Sequence, residues 1–277
     1  MNDKAIDEQL LGLGSYAFRH AIGSKINPMD TEGFIKEAAA IGFKRVLLCE
    51  NLNYDQNDLQ YFRKIKKIMR EGNITAEVVM KGISLNLITK HIYIANELGS
   101  SVLRLVIGES GDKSPDGKKK LKSETIKALE KIIVLLEKTN LVLGIENHFD
   151  LATDDLCEIS DHFNSRHISL IYDSTNGTGL LEKPFETLEK MGSRIISAHI
   201  KNYLSTKVDG GYFLAGTDLC KGDLDIGSLL DKIRKYNPKC SIIVEYNIRP
   251  EDELQEKGLL TWEKERIMVN YNYLKNM

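Results

Sequence analysis

The stretch Leu141-Val142-Leu143-Gly144-Ile145-Glu146-Asn147-His148 decides the fold. It is an apolar run that ends in charged and polar groups. An apolar run without polar alternation marks a strand covered on both faces, as in parallel sheets. The same form returns three times downstream. Residues 168–172 lead into Asp173-Ser174-Thr175-Asn176, residues 195–200 carry His199 and run into Lys201, and residues 241–244 lead into Glu245-Tyr246-Asn247. Upstream, residues 11–18, 45–49, 74–80 and 102–107 give four further strands. Helical patterns lie between and after them, at 31–41, 58–70, 84–98, 123–138, 154–163, 184–191, 226–236 and 262–274. Asp30 is placed as an N-cap and Gly42 as a helix stop, with Pro184 near the start of its helix and Gly192 just past the end.

Strict alternation of β and α units predicts a parallel sheet. Eight of each suit closure, so the expected architecture is α/β, a single (β/α)8 TIM barrel over residues 1–277. An open doubly wound sheet would carry a Gly-rich phosphate turn after an early strand, and neither GxGxxG nor GxxxxGK[ST] occurs. No interior linker is rich enough in Pro or Ser to split the chain.

Composition narrows the function. The 277 residues are 42% hydrophobic and 28% charged, enough for a sizeable core. Lys plus Arg number 38 against 40 Asp plus Glu, a formal charge of −2, which argues against a dedicated nucleic-acid binder. Cys49, Cys157, Cys220 and Cys240 form no CxxC pair, so reduced thiols are expected rather than a cysteine zinc site. The N-terminus is charged and no run of about 18 apolar residues exists, which points to the cytoplasm and away from a membrane.

In barrels of this kind the chemistry sits at the C-terminal ends of the strands. Residues i and i+2 of a strand share a face, so Glu146 pairs with His148 and His199 with Lys201. Glu146, Asp173 and Glu245 then converge on one mouth with His199. Crowded carboxylates raise one another's pKa unless a cation compensates. One divalent metal held by Glu146, Asp173, His199 and Glu245 would do so. Such oxygen and imidazole ligands suit Mn²⁺ first, with Mg²⁺, Co²⁺, Fe²⁺ or Zn²⁺ as alternatives.

The segments GIENH, YDSTN, AHIK and IIVEYN resemble the xylose-isomerase-like barrel superfamily, and within it the sugar phosphate isomerase/epimerase branch. The resemblance implies the same four metal ligands and an acid/base pair at Glu146 and Glu245. Where the ketose 3-epimerases and the DNA-repair endonucleases of the superfamily place a histidine three residues after the aspartate, this chain has Asn176. The second and third strands lack the further histidines that the repair enzymes need. Cys220 stands where the family's turn before the seventh helix has its first glycine.

The expected activity is therefore isomerisation or epimerisation of a sugar or sugar derivative, through proton transfer and a metal-stabilised enediolate. A metal-dependent dehydratase or other lyase on the same site is the alternative, and a sugar-binding module without catalysis is a third. His148 is the second candidate base, and Lys201 a donor to a substrate hydroxyl or to the enediolate oxygen. Arg104, inside an apolar strand, needs partners: an acid such as Glu146, or substrate. Glu50 and His20, after the second and first strands, are candidate substrate contacts. Asn176 is placed to orient the Asp173 carboxylate or substrate. Lys118-Lys119-Lys120 forms a solvated loop face, with a phosphate site as the sharper alternative. Trp262 and the aromatic tail fit last-helix packing and leave a homo-oligomer open.

Overall fold

A computed structural model describes residues 6–108, 112, 114–246, 248–250 and 256–277. Asn247 and Glu109, the first residue of the loop expected at 109–120, lie outside the described residues. The chain opens with β1 (Leu11–Gly14), α1 (Arg19–Ile22) and α2 (Thr31–Ile41), then β2 (Arg45–Leu48), α3 (Leu59–Glu71), β3 (Thr75–Lys81) and α4 (Leu85–Leu98). It continues with β4 (Val102–Val106), α5 (Pro115–Glu130), α6 (Ile133–Thr139), β5 (Val142–Glu146), α7 (Thr153–Phe163), β6 (Ile168–Asp173), α8 (Pro184–Met191) and β7 (Ile195–Ile200). The last elements are β8 (Asn202–Val208), β9 (Gly211–Thr217), α9 (Ile226–Tyr236), β10 (Ser241–Val244) and α10 (Glu256–Lys275). Eight strands close a parallel barrel in the order β1-β10-β7-β6-β5-β4-β3-β2, with β8 and β9 forming a separate hairpin.

The helices start and stop where local chemistry directs. Asp30 accepts the Gly33 N–H, Asp58 that of Tyr61 and Asp225 that of Ser228, each supplying an acceptor for an otherwise unpaired amide. Apolar side chains on the outer face of the strands pack under the helices in one large core. Leu47, Cys49, Val79 and Ile243 form a second, separate cluster. They belong to the inner face: Arg104 of β4 reaches both Cys49, just past β2, and Glu245, just past β10, which is possible only through the barrel interior.

Four expected elements differ. The first strand ends at Gly14 rather than running to residue 18, because the Ser15 hydroxyl takes the Cys49 N–H at 3.1 Å and donates to Asn51 at 2.6 Å, turning the chain. The helix expected from residue 123 begins at Pro115, where the Ser114 hydroxyl caps the Gly117 N–H. Lys118, Lys119 and Lys120 are thus helical residues, not a loop. The excursion at 204–225 contains most of the β8–β9 hairpin, paired from Asn202↔Thr217 to Val208↔Gly211. The last helix starts before residue 262, at Glu256.

Candidate metal and proton-transfer centre

Register brings the charged strand ends together. Between β6 and β7 the pairing shifts after Leu170, so that Asp173 stands directly beside His199. Without that bulge Asp173 would lie one residue out of step. Asn147 clamps the same point: its amide donates to the Asp173 carbonyl at 3.0 Å, and its side-chain oxygen accepts the Asp173 N–H at 2.6 Å. Gly14 leaves space for Glu245, since a Cβ there would lie 2.6 Å from the Glu245 Cγ.

Ligand atoms of Glu146, Asp173 and His199 all lie within 4.8 Å of one another, and all three residues are buried. His199 Nδ1 is 3.0 Å from Glu146 Oε1 and 4.0 Å from Glu245 Oε2. Its Nε2 is buried with no hydrogen-bond partner. Asp173 Oδ1 accepts the backbone amides of Thr175 and Asn176, both at 2.9 Å, and the Thr175 hydroxyl at 3.2 Å. Its Oδ2 faces the Lys201 ammonium at 2.7 Å. Two carboxylates, an imidazole and an orphaned ring nitrogen within one small buried volume fit a divalent cation. Glu245 lies beside this group rather than in it.

Crowding of negative charge does not by itself require that ion. Arg104 grips Glu146 Oε2 through Nε and Nη2, and its Nη1 is 3.8 Å from Glu245 Oε1. Lys201 bridges Asp173 and Glu245, the latter at 3.1 Å. The expectation that a metal alone reconciles the carboxylates is corrected here: two of the chain's own cations already do so. Burial alone would raise the pKa of Glu146, but the Arg104 charge, the His199 hydrogen bond and Lys201 hold it well below the usual range. Burial opposes Glu245 in the same way, and Lys201, His199 and Arg104 outweigh it. Burial would deprotonate Lys201, yet Asp173, Glu245 and Glu146 keep it charged.

The other expected residues fall in several places. His148 stands past β5, 21% exposed in its side chain, and faces Asp150. Asn176 is buried and reaches Asp173 through its backbone amide, not its side chain. Glu50 follows β2 and hydrogen-bonds Tyr16, whose phenol pKa is raised by burial and by the Glu50 charge. His20 is turned to the helical wall: its ring packs edge-on against Trp262, and its backbone N–H binds Glu263.

Three residues at this end were not legible beforehand. Tyr16 lies in what was expected to be strand. Cys49 reads as a buried thiol, and it is one, but its sulfur is 3.9 Å from Glu245 Oε1. Asp150 lies past the strand end, where spacing gives no facing rule.

The profile of the xylose isomerase-like TIM barrel family matches residues 35–265, and this chain belongs to that family. Among curated proteins it is similar to 3-oxo-isoapionate decarboxylase of Pectobacterium atrosepticum, 23% identical over 269 residues and 96% of each chain. Among solved structures it resembles D-psicose 3-epimerase with D-tagatose from Clostridium cellulolyticum H10, at 11% identity and a TM-score of 0.73, over 96% of this chain and 99% of that one. It also resembles the IolI protein with a bound zinc atom, at 14% identity and a TM-score of 0.68, over 95% and 98%. Among the described residues no helix is long and apolar enough to cross a membrane.

Proposed function

We propose that this chain is a divalent-metal-dependent isomerase or epimerase, moving a proton at a carbon next to a carbonyl in a sugar or sugar derivative. The observation that carries the reading is the meeting of Glu146, Asp173, His199, Lys201 and Glu245 at one end of the barrel. Glu146, Asp173 and His199, with Glu245 beside them, would hold the metal, Mn²⁺ first among the candidates. When bound, it supplies Lewis acidity to adjacent carbonyl and hydroxyl oxygens of the substrate.

The side chains divide the remaining work. Glu146 has one oxygen taken by Arg104 and the other by His199, which leaves it a poor proton acceptor. Glu245 is less encumbered and is the better base. Lys201, already against Glu245, donates to the oxygen that gains negative charge as the proton leaves. His148, two residues past Glu146 at the same strand end, is the group we assign to return the proton. Return to the opposite face gives the epimer, and return to the neighbouring carbon gives the isomer. The four free cysteines fit a reducing, cytoplasmic setting.

A lyase is the second reading. It is favoured by the buried pair of cations, Arg104 and Lys201, and by the similarity to a protein named as a decarboxylase. Loss of carbon dioxide from a 3-oxo acid also leaves negative charge on a carbonyl oxygen, where Lys201 would meet it.

The test is incubation with Mn²⁺ in deuterated buffer over a panel of ketoses and 3-oxo sugar acids. Deuterium at the α carbon without loss of mass supports the first reading, and carbon dioxide release supports the second. Glu245→Gln should abolish exchange, while Lys118→Ala, on α5, should keep it. Wild-type exchange by Glu245→Gln would remove that carboxylate from the reaction. Binding of a sugar with no exchange would leave only a binding module.

A further inference from the structure

Two buried polar atoms near the mouth have no hydrogen-bond partner in the structure, His148 Nδ1 and Asp150 Oδ1. They face each other at 3.6 Å. Asp150 is 6% exposed, and its other oxygen accepts the Gly108 N–H at 3.0 Å. Gly108 follows β4 with φ +95°, a backbone shape that L residues rarely adopt, so the amide that grips Asp150 depends on glycine. The His148 ring packs edge-on against Phe149, with centroids 4.6 Å apart. One side of the imidazole therefore packs on Phe149, and its Nδ1 lies 3.6 Å from a carboxylate anchored to the end of the neighbouring strand.

We propose that Asp150 is a positioning residue, which takes the Nδ1–H of His148 and so leaves Nε2 as the nitrogen that handles the transferred proton. This rests on the reading above, in which His148 handles the proton. A neutral imidazole carries one N–H, and the hydrogen bond available to one nitrogen decides which nitrogen holds it. A carboxylate can only accept, so its place beside Nδ1 selects the Nδ1–H form. The 3.6 Å separation is longer than a formed hydrogen bond. Such contacts are commonly long before a site is filled and tighten when substrate enters. Glu146 is already engaged by Arg104 and His199, and it is Asp150 that faces the His148 Nδ1. Asp150 touches no reacting atom in this scheme and acts only through the ring.

The experiment uses the metal-free 277-residue chain with ¹⁵N-labelled histidine. The chain has six histidines, and His148 is assigned by the signal lost in His148→Asn. Its ¹⁵N shifts should show the proton on Nδ1, the Nδ1–H tautomer. Asp150→Asn keeps the volume and an acceptor for Gly108 but can donate to Nδ1, so the ring should switch to Nε2–H. Asp150→Glu should recover part of the original signal. Carbethoxylation of His148 by diethylpyrocarbonate, read by peptide mass spectrometry, should slow about tenfold in Asp150→Asn, as the Nε2 lone pair is lost. An Nε2–H tautomer in the wild-type chain would overturn the inference without use of any variant. So would an unchanged tautomer and modification rate in Asp150→Asn. Neither readout involves turnover. A failed tautomer switch therefore leaves the proposed reaction standing, and an absence of α-proton exchange leaves the tautomer result standing.

Discussion

At the C-terminal end of the strands, Arg104 binds Glu146 and approaches Glu245, while Lys201 bridges Glu245 and Asp173. At the opposite end, Arg45 and Glu77 face each other at 3.5 Å, and neither oxygen of the fully buried Glu77 accepts a hydrogen bond. Leu47 stands two residues after Arg45 in β2 and Val79 two after Glu77 in β3, so each charged group shares the inner face with an apolar neighbour. The two ends thus hold the same residue types inside one barrel and bind them differently. The mouth is cross-linked, each carboxylate meeting more than one cation, imidazole or amide, so its geometry is held against the repulsion of three negative charges. Among the described residues, Arg45 and Glu77 at the floor form one loose pair. A buried pair costs desolvation that its attraction barely returns. Multiple partners for each charge at the mouth are what a preorganised site needs, and the floor has no such arrangement.

The largest effect should come from breaking the mouth. Arg104→Met leaves Glu146 and Glu245 buried without their guanidinium and should cost about 3–5 kcal/mol in urea denaturation. Added Mn²⁺ should restore part of that loss, because a bound cation stabilises the folded state by mass action. The wild-type chain should stay folded in chelator, its own two cations sufficing. If Arg104→Met is as stable as wild type without metal, the mouth is no better bound than the floor.

The floor should tolerate removal of both charges. The double variant Arg45→Met with Glu77→Leu should be neutral or more stable by about 1–4 kcal/mol, since apolar packing replaces a desolvated pair. Exchange activity should be unchanged. A loss above about 3 kcal/mol would show that the floor pair is needed as much as the mouth cluster.

The smallest effect concerns another buried carboxylate, on the helical wall. Glu263 of α10 accepts the backbone amides of His20 and Ala21 at 2.8 and 3.0 Å. Burial outweighs these bonds and Arg19, raising its pKa to about 7. The folded chain therefore keeps a proton that the unfolded chain loses above its ordinary value of 4.5, and stability falls as pH rises from there to about 7. The mouth has the opposite sign. Glu146 and Glu245 are depressed, so their contribution is full above the ordinary carboxylate range and is lost as pH falls through their folded values. Glu263→Gln should flatten the slope between pH 4.5 and about 7, by on the order of 1–3 kcal/mol, and leave the acid limb intact. Thermal melts across that range would read both, and an unaltered slope would remove Glu263 as its source.

Much of this centre was legible in the order of residues. Glu146, Asp173, His199 and Glu245 each stand at or near the end of a continuous apolar run, and a parallel barrel gathers such ends on one rim. Arg104 inside an apolar strand announced a buried partner, and Glu146 is that partner. The Ser-Pro at 114–115 is a helix start in form, yet the lysine-rich stretch after it reads equally as a solvated turn. The hairpin strands β8 and β9 are exposed and mixed in polarity, so they lacked the apolar continuity that marks the barrel strands.

Local sequence determined the alternation of strands and helices, the caps, and which polar groups lie at the mouth, because these depend on the periodicity and neighbours of each residue. Only the closed barrel decided their partners. The one-residue shift between β6 and β7 seats Asp173 beside His199, Lys201 settles between Asp173 and Glu245, and Asp150 meets His148 while held from β4. Those relations join groups distant along the chain, and they follow from register and from charges seeking the nearest opposite charge in a space without water.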